Sequence, residues 1–180
     1  MPNVPAASAF QVRVSEVSKV LVSACLLGNP VRYDGKSKLL HHARLSRLVE
    51  QDRVIGFCPE VAGGLPIPRD AAEIRGGDGA AVIDGHARVE TRNGCDVTAF
   101  FVAGARQALA LCRLHDIGVA ILTESSPSCG SSQVYDGEFA RSPVPGSGVT
   151  SALLRRHGVA VFNQHQIDTA LSHPAFCKRC

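Results

Sequence analysis

Three of the seven cysteines in this chain stand just beyond short apolar runs. Cys25 follows the run 20–24, Cys58 follows 53–57, and Cys129 lies in a small, polar segment beyond 119–122. Short apolar runs that end in Gly, Pro or Ser are typical of buried strands. The carboxyl ends of parallel strands share one edge of an open sheet, so three thiols are expected to meet there. The pattern predicts a metal site.

The remaining cysteines carry weaker signals. A single buried cysteine is often just a small core residue, which is the interpretation favoured for Cys112. Cys95 has no evident partner in the sequence. Cys177 and Cys180 have CxxC spacing, but one such pair without a second is a weak zinc signal, and we expect the pair to be non-essential. Disulfides would need an oxidising compartment, which nothing in the sequence indicates.

The apolar patterns that position these cysteines alternate between strand and helix. Strands are predicted at 19–24, 53–57, 119–122 and 159–162, and helices at 36–50, 96–116, 149–157 and 164–171. This alternation predicts an α/β fold, a single three-layer domain with a mostly parallel, Rossmann-like sheet. We expect a catalytic domain over residues 19–172, a flexible leader over 1–18 and a tail over 173–180.

Several local features refine this prediction. Asp96 is expected to cap the long helix, with a buried stripe that includes Phe100 and Phe101, and Gly104 to permit close helix–sheet contact. The runs 80–83 and 87–90 flank an Asp-Gly turn and predict a β-hairpin. The segment 58–69, rich in Gly and Pro, is expected to form an irregular functional loop.

Composition excludes several classes of protein. An apolar fraction of 45% and a mean hydropathy of +0.08 over 180 residues describe a globular chain. Its net charge is only +3, and it has no cluster of consecutive Lys and Arg residues. It therefore lacks the basic surface that is typical of a protein dedicated to binding duplex nucleic acid. No apolar run approaches the roughly 20 residues that span a bilayer, and residues 1–18 lack a signal-peptide core. We expect a cytoplasmic protein without membrane partners.

The loop motifs, taken together and in order, resemble those of the thiouracil desulfidase family. The resemblance covers roughly residues 19–163, and it departs from the family at Thr123, where a lysine is expected, a change that would alter the preference for substrate charge. It rests on seven segments: Ser23-Ala-Cys-Leu-Leu-Gly28, Arg32-Tyr-Asp-Gly35, Cys58-Pro-Glu60, Gly63-Gly-Leu-Pro-Ile-Pro-Arg69, Gly94-Cys-Asp-Val-Thr98, Ser126-Pro-Ser-Cys-Gly130 and Gly146-Ser-Gly-Val-Thr150.

The resemblance implies a [4Fe–4S] cluster held by three cysteines, which would be Cys25, Cys58 and Cys129. Three ligands leave one iron open, as catalytic zinc sites also leave a position open. The open iron would bind the sulfur of a small thiolated pyrimidine and polarise its C=S bond for attack by water. The expected reaction converts thiouracil to uracil and hydrosulfide without net redox change. A free thiobase, a thiolated nucleotide and a thiolated RNA are all compatible substrates.

Further site residues are expected in the same loops. Glu60, two residues after Cys58, is the carboxylate best placed for proton transfer, and the resemblance makes it the acid/base residue. Ser126 and Ser128 would hydrogen-bond the pyrimidine or orient the water, or else simply form the turn around Cys129. Charged residues would close the site by a salt bridge or bind substrate; these are Arg32, Asp34 and Arg69.

Other classes of function use the same residues differently. A zinc-binding structural or interaction module would add His41 or His42 to the three cysteines, although none of these cysteines has the short spacing of structural zinc sites. A cluster-free hydrolase would use Cys129 as nucleophile and Glu60 as base. A nucleotide-binding domain would use the glycines of 76–79, which lack the lysine of a P-loop.

The cysteine assignment predicts a sharp contrast between variants. Alanine at Cys25, Cys58 or Cys129 should abolish iron binding and activity, because each removes a ligand. Cys112→Ala, and truncation before Cys177, should preserve both. Iron and labile sulfide per chain, with thiouracil turnover, measure the outcome. A truncated protein without iron, beside a Cys58→Ala protein that retains it, would show the ligand assignment to be wrong.

Overall fold

The computed structural model describes residues 18–177, and the predicted leader up to residue 17 and Cys180 lie outside them. The first half of the chain contains β1 (Val20–Ser23), a 3-10 turn (Ala24–Leu27), α1 (Ala43–Glu50), β2 (Val54–Phe57), α2 (Pro59–Ala62), β3 (Ala72–Arg75), α3 (Gly79–Ile83) and β4 (Arg88–Thr91). The second half contains α4 (Thr98–Leu114), β5 (Val119–Leu122), β6 (Gln133–Tyr135), β7 (Pro143–Pro145), α5 (Val149–Arg156), β8 (Ala160–Asn163) and α6 (Ile167–Ser172).

A parallel four-stranded sheet with the order β2-β1-β5-β8 forms the middle layer. All four residues of β1 and of β5 are buried, as expected for strands covered on both faces. The α/β prediction and its mostly parallel sheet are therefore confirmed. Two antiparallel pairs, β3 with β4 and β6 with β7, lie outside this sheet.

Two hydrophobic clusters cover the two faces of the sheet. Leu21, Ala120 and Leu122 pack with residues of α4 and α5 on one face. Val20, Val22, Val119 and Ile121 pack with α1 and α6 on the other. Because side chains alternate along a strand, each central strand contributes to both clusters. Phe176, from the predicted tail, is buried in the second cluster.

The helix predicted to begin at residue 36 begins at Ala43. The preceding segment instead runs beside the 3-10 turn. The backbone amides of Lys38 and Leu40 donate hydrogen bonds to the carbonyls of Cys25 and Leu26. These amides are thereby satisfied outside a helix, and the segment is tied to the loop that carries Cys25.

The β-hairpin predicted at 80–90 is wrong. Asp78 accepts hydrogen bonds from the amides of Ala80 and Ala81, which caps α3 where the first strand was expected. The second run forms β4, but its antiparallel partner is β3. A carboxylate therefore occupies the helix start that a phosphate-binding glycine loop would leave free, so the geometry does not favour the nucleotide-binding alternative.

The loop after β2 is more regular than predicted. Residues 59–62 form the short helix α2, with Pro59 at its first position, where a missing amide costs little. Cys58 is its N-cap residue, and Glu60 lies in its first turn. The spacing of cysteine and carboxylate is thus set by one helical turn.

The long helix α4 packs closely against α2 at Gly104. A Cβ atom on Gly104 would lie 1.8 Å from the Pro59 carbonyl oxygen, so the close contact predicted for Gly104 is made to α2 and not to the sheet. Asp96 accepts a hydrogen bond from the Thr98 amide, although Val97 is the N-cap residue. Phe101 is buried as predicted, whereas Phe100 is exposed. Within the described residues, no helix has the length and apolarity to cross a bilayer.

Gly104→Ala should destabilise the protein and disturb the Cys58–Glu60 turn. Alanine favours an ordinary helix by about 1 kcal/mol, but overpacking against the Pro59 carbonyl should cost about 1–3 kcal/mol. Urea unfolding measures the change, and Arg106→Ala, at an exposed position of the same helix, serves as the control. An increase in unfolding free energy for Gly104→Ala would contradict the close contact.

Candidate metal centre

The carboxyl edge of the parallel sheet opens into a cleft of about 790 Å³. Cys25, Cys58 and Cys129 all line it. They follow β1, β2 and β5, three strands that are adjacent in the sheet. The structure therefore brings together the three thiols that the sequence predicted to meet.

The three thiols differ in exposure. Cys25 lies in the 3-10 turn and is buried, with its Sγ 3.0 Å from the hydroxyl of Thr123. Cys129 is buried, with its Sγ 3.6 Å from the hydroxyl of Ser23. Cys58 is partly exposed, and its Sγ lies 3.8 Å from the Val31 carbonyl oxygen. Two of the sulfurs thus have hydroxyl partners, which the sequence analysis did not predict.

Glu124 anchors the loop that carries Cys129. Its Oε1 accepts hydrogen bonds from the backbone amides of residues 125, 131, 132 and 133, at 2.8–3.3 Å. Its Oε2 accepts from the hydroxyls of Ser131 and Ser132 and from Asn163 Nδ2. One carboxylate therefore closes the loop on itself and ties it to β8. Sequence reasoning missed this role, although a single carboxylate at the head of a serine-rich loop was a usable signal.

The start of α5 supports the same loop from behind. The amides of Gly148, Val149 and Thr150 donate to carbonyls of residues 127–130, at 2.8–2.9 Å. A Cβ atom on Gly148 would lie 2.4 Å from the carbonyl carbon of Ser128, so no side chain fits there. Ser151 also donates its hydroxyl to the Cys129 carbonyl at 2.7 Å. The loop is therefore held by backbone contacts on its rear side.

Glu60 lies beside the thiols and is ion-paired. Its Oε2 accepts hydrogen bonds from Nε of Arg69, at 2.9 Å, and from Nη2 of the same side chain. Its Oε1 accepts from the Ser126 hydroxyl at 3.4 Å. Ser126 Oγ in turn accepts from the amides of Ser128 and Cys129. Of the two roles predicted for Arg69, the geometry favours the salt bridge over contact with substrate.

The other predicted site residues do not all reach the cleft. Arg32 lines it, and Nε of Arg32 lies 3.5 Å from Asp34 Oδ1. Asp34 accepts from the Lys36 amide and shapes the turn. Ser128 is fully buried, is not among the lining residues, and has its hydroxyl 2.9 Å from that of Thr150. We therefore replace the predicted contact of Ser128 with substrate by the structural role that was its alternative.

The histidines proposed for a zinc module also lie elsewhere. Neither His41 nor His42 lines the cleft. Nε2 of His42 lies 3.5 Å from a carboxylate oxygen of Asp168, in the first turn of α6. Among residues 18–177, no three His, Cys, Asp or Glu side chains are grouped to hold a single metal ion. This geometry does not favour the zinc-module alternative.

The electrostatics of the cleft fit a positively charged, sulfur-binding group. Burial raises the pKa of the Cys129 thiol, and the hydrogen bond from Ser23 opposes this increase. Negative charge on the nearby Glu60, Cys25 and Cys58 raises the pKa of Cys129 further. Burial likewise raises the pKa of the Cys58 thiol. Thiolates at these positions are costly unless a cation compensates them. Iron of a cluster would supply that compensation, so the donor set fits the group.

Fold and site together define an α/β protein with a thiol- and carboxylate-lined cleft at the carboxyl edge of its parallel sheet. Comparison with known proteins gives the family. The family described as 2-thiouracil desulfurase matches residues 20–166, and the chain belongs to it. The resemblance inferred from the loop motifs is confirmed, and this is a family of enzymes.

Two relatives illustrate the similarity. A solved structure of a [4Fe-4S]-dependent thiouracil desulfidase, TudS, is 49% identical, with a TM-score of 0.78, and the match covers 85% of this chain and 95% of that one. A Bacillus subtilis (strain 168) protein described as "Uncharacterized protein YbbK" is 40% identical over 152 residues, which are 84% of this chain and 99% of the relative.

Replacement of Glu124 should weaken the fold in a pH-dependent way. Burial alone would raise the pKa of its carboxyl, but hydrogen bonds, first from Ser131 and then from the amides of 132, 133 and 125, outweigh it and lower the pKa to about 2. The carboxylate therefore stabilises the protein fully above its ordinary pKa of 4.5, and this contribution is lost as the pH falls towards about 2.

Glu124→Gln should lower the free energy of unfolding by about 1–2 kcal/mol at pH 7. This loss is smaller than the free energy that corresponds to the full pKa shift, because solvent screens a partly exposed carboxylate. The variant should also lose less stability than the wild type between pH 4.5 and pH 2. Urea unfolding across this range measures both effects, with Glu50→Gln on the exposed face of α1 as the control. Parallel pH profiles for Glu124→Gln and the wild type would contradict the assignment.

Proposed function

We propose that this protein is an iron–sulfur-dependent enzyme that removes sulfur from thiolated pyrimidines, converting thiouracil to uracil and hydrosulfide. The observation that carries the proposal is the meeting of Cys25, Cys58 and Cys129 in one cleft, beside Glu60. Membership of the 2-thiouracil desulfurase family and the [4Fe-4S] dependence of the similar TudS structure support it.

The three cysteines would hold a [4Fe–4S] cluster. The three thiols line one cleft and follow three adjacent strands, so each could bind a different iron of one cluster. When bound, the cluster would supply an iron with an open position, a Lewis acid that polarises a C=S bond.

Glu60 would handle the proton of the attacking water. Arg69 holds Oε2 of its carboxylate, which leaves Oε1 directed towards Ser126. An oxygen at this position can take a proton from a water molecule and return it to the product. Arg69 would act as a positioning residue, because its guanidinium also donates to the carbonyls of Val31 and Pro66.

Ser126 and Arg32 would contact substrate. Ser126 lines the cleft at the start of the Cys129 turn, and its hydroxyl bridges Glu60 and that turn. Arg32 lines the cleft from the loop that follows the 3-10 turn, with its guanidinium carbon 5.9 Å from the centre of the Tyr33 ring. A guanidinium donates hydrogen bonds and does not accept them, so it suits the carbonyl oxygens of a pyrimidine.

Purification without oxygen tests the proposal directly. The protein should be brown, with a broad absorption near about 400 nm from iron–thiolate charge transfer, and should contain iron and labile sulfide. It should release hydrosulfide and uracil from thiouracil. Zinc without iron or sulfide, or a colourless protein that is fully active, would overturn the proposal.

Glu60→Gln should separate proton transfer from cluster binding. Glutamine keeps the shape and an oxygen for the Arg69 hydrogen bonds, so the variant should fold and retain its iron. Turnover of thiouracil should fall by ~10²–10⁴-fold, the usual value of acid–base assistance, with little change in substrate affinity. Single-turnover assays of protein with confirmed iron content measure the loss. Near-normal turnover in that preparation would exclude the role.

A further inference from the structure

Two hydroxyl groups lie against two of the three cysteine sulfurs. Thr123 Oγ1 is 3.0 Å from Cys25 Sγ, and Ser23 Oγ is 3.6 Å from Cys129 Sγ. All four residues are buried, with exposures between 2% and 9%. Solvent therefore competes little for these hydrogen bonds, and each hydroxyl is held where it can act on a sulfur.

The Ser23 hydroxyl donates to Cys129 Sγ, and a neighbouring amide occupies one of its acceptor positions. The amide of Thr123 donates to Ser23 Oγ at 3.0 Å, because β1 and β5 are adjacent and end at the same level. A hydroxyl has one proton, and the amide approaches Ser23 from its acceptor side. The Ser23 proton is therefore free to point at Cys129.

The direction of the Thr123 hydrogen bond follows from the chemistry of the thiol. A protonated thiol could donate or accept, but a thiolate can only accept. Once Cys25 is a thiolate ligand, Thr123 must be the donor. A β-branched side chain such as threonine has few allowed rotamers, so its hydroxyl keeps this position just beyond β5.

We propose that Ser23 and Thr123 are positioning residues for the cluster, donating O–H···S hydrogen bonds to Cys129 and Cys25. This inference rests on the proposed function. Each donor withdraws negative charge from a thiolate, and more so when the cluster carries an extra electron. The hydroxyls should therefore raise the reduction potential of the cluster and slow the loss of its iron.

The experiment compares Thr123→Val, Thr123→Ser and Ser23→Ala with the wild type, all purified without oxygen. Valine has nearly the shape of threonine without its hydroxyl, whereas serine keeps the hydroxyl. Thr91→Val is the matched control, because Thr91 is also buried in the cleft wall, but its hydroxyl oxygen accepts a hydrogen bond from the Cys95 amide and does not contact a sulfur in the described structure. Circular dichroism and iron content establish that each variant is folded and loaded.

Two measurements then test whether the hydroxyls act on the cluster. The midpoint potential should shift to a more negative value in Thr123→Val and Ser23→Ala, and should return towards the wild-type value in Thr123→Ser. Release of iron to a chelator should be roughly 2- to 10-fold faster in the first two, as expected for the loss of one hydrogen bond. The control should match the wild type in both.

The possible failures are distinguishable. Wild-type protein without iron and labile sulfide would overturn the proposed function, and this inference with it. Cluster-containing Thr123→Val and Ser23→Ala proteins with unchanged potentials would overturn the inference alone. A Thr123→Ser protein that behaves like Thr123→Val would also overturn it, because the shape of the side chain and not its hydroxyl would then be responsible.

Discussion

The site depends above all on the hydrogen bonds to the Glu124 carboxylate. They fold residues 124–133 into a closed turn and join that turn to Asn163 on β8. A partly buried carboxylate is stable only when donors replace its lost water, and here backbone amides supply most of them. Because Cys129 lies inside the turn, its sulfur is placed by an interaction that does not involve the sulfur at all.

The meeting of the three thiols could be predicted from the sequence because it follows from topology. Cys25, Cys58 and Cys129 each follow an apolar run, and parallel strands end at one edge. The central sheet and its two covered faces were equally predictable, since β5 is a short, wholly apolar run and β1 is apolar up to Ser23 at its end. The place of Glu60 in the cleft was predictable as well, because it lies only two positions after Cys58.

The remaining differences arose where tertiary contacts overrule local preference. The alanines of α3 were assigned to a strand because the capping hydrogen bonds of Asp78 are not visible in an apolar pattern. The segment before Ala43 has a helical pattern, but its amides are taken by the Cys25 loop. Ser128 and Ser126 look equivalent in sequence, and only the position of Thr150 distinguishes the buried hydroxyl from the one in the cleft.

The strand order also has a consequence for biosynthesis. β1 needs β2 on one side and β5 on the other, yet β5 and Cys129 leave the ribosome long after Cys25 and Cys58. Chains begin to fold from the N-terminus during synthesis, but contacts distant in sequence form late. The nascent chain therefore displays two of the three cysteines before the third emerges. Under the proposed function, a site that needs all three would be complete only once the sheet has formed.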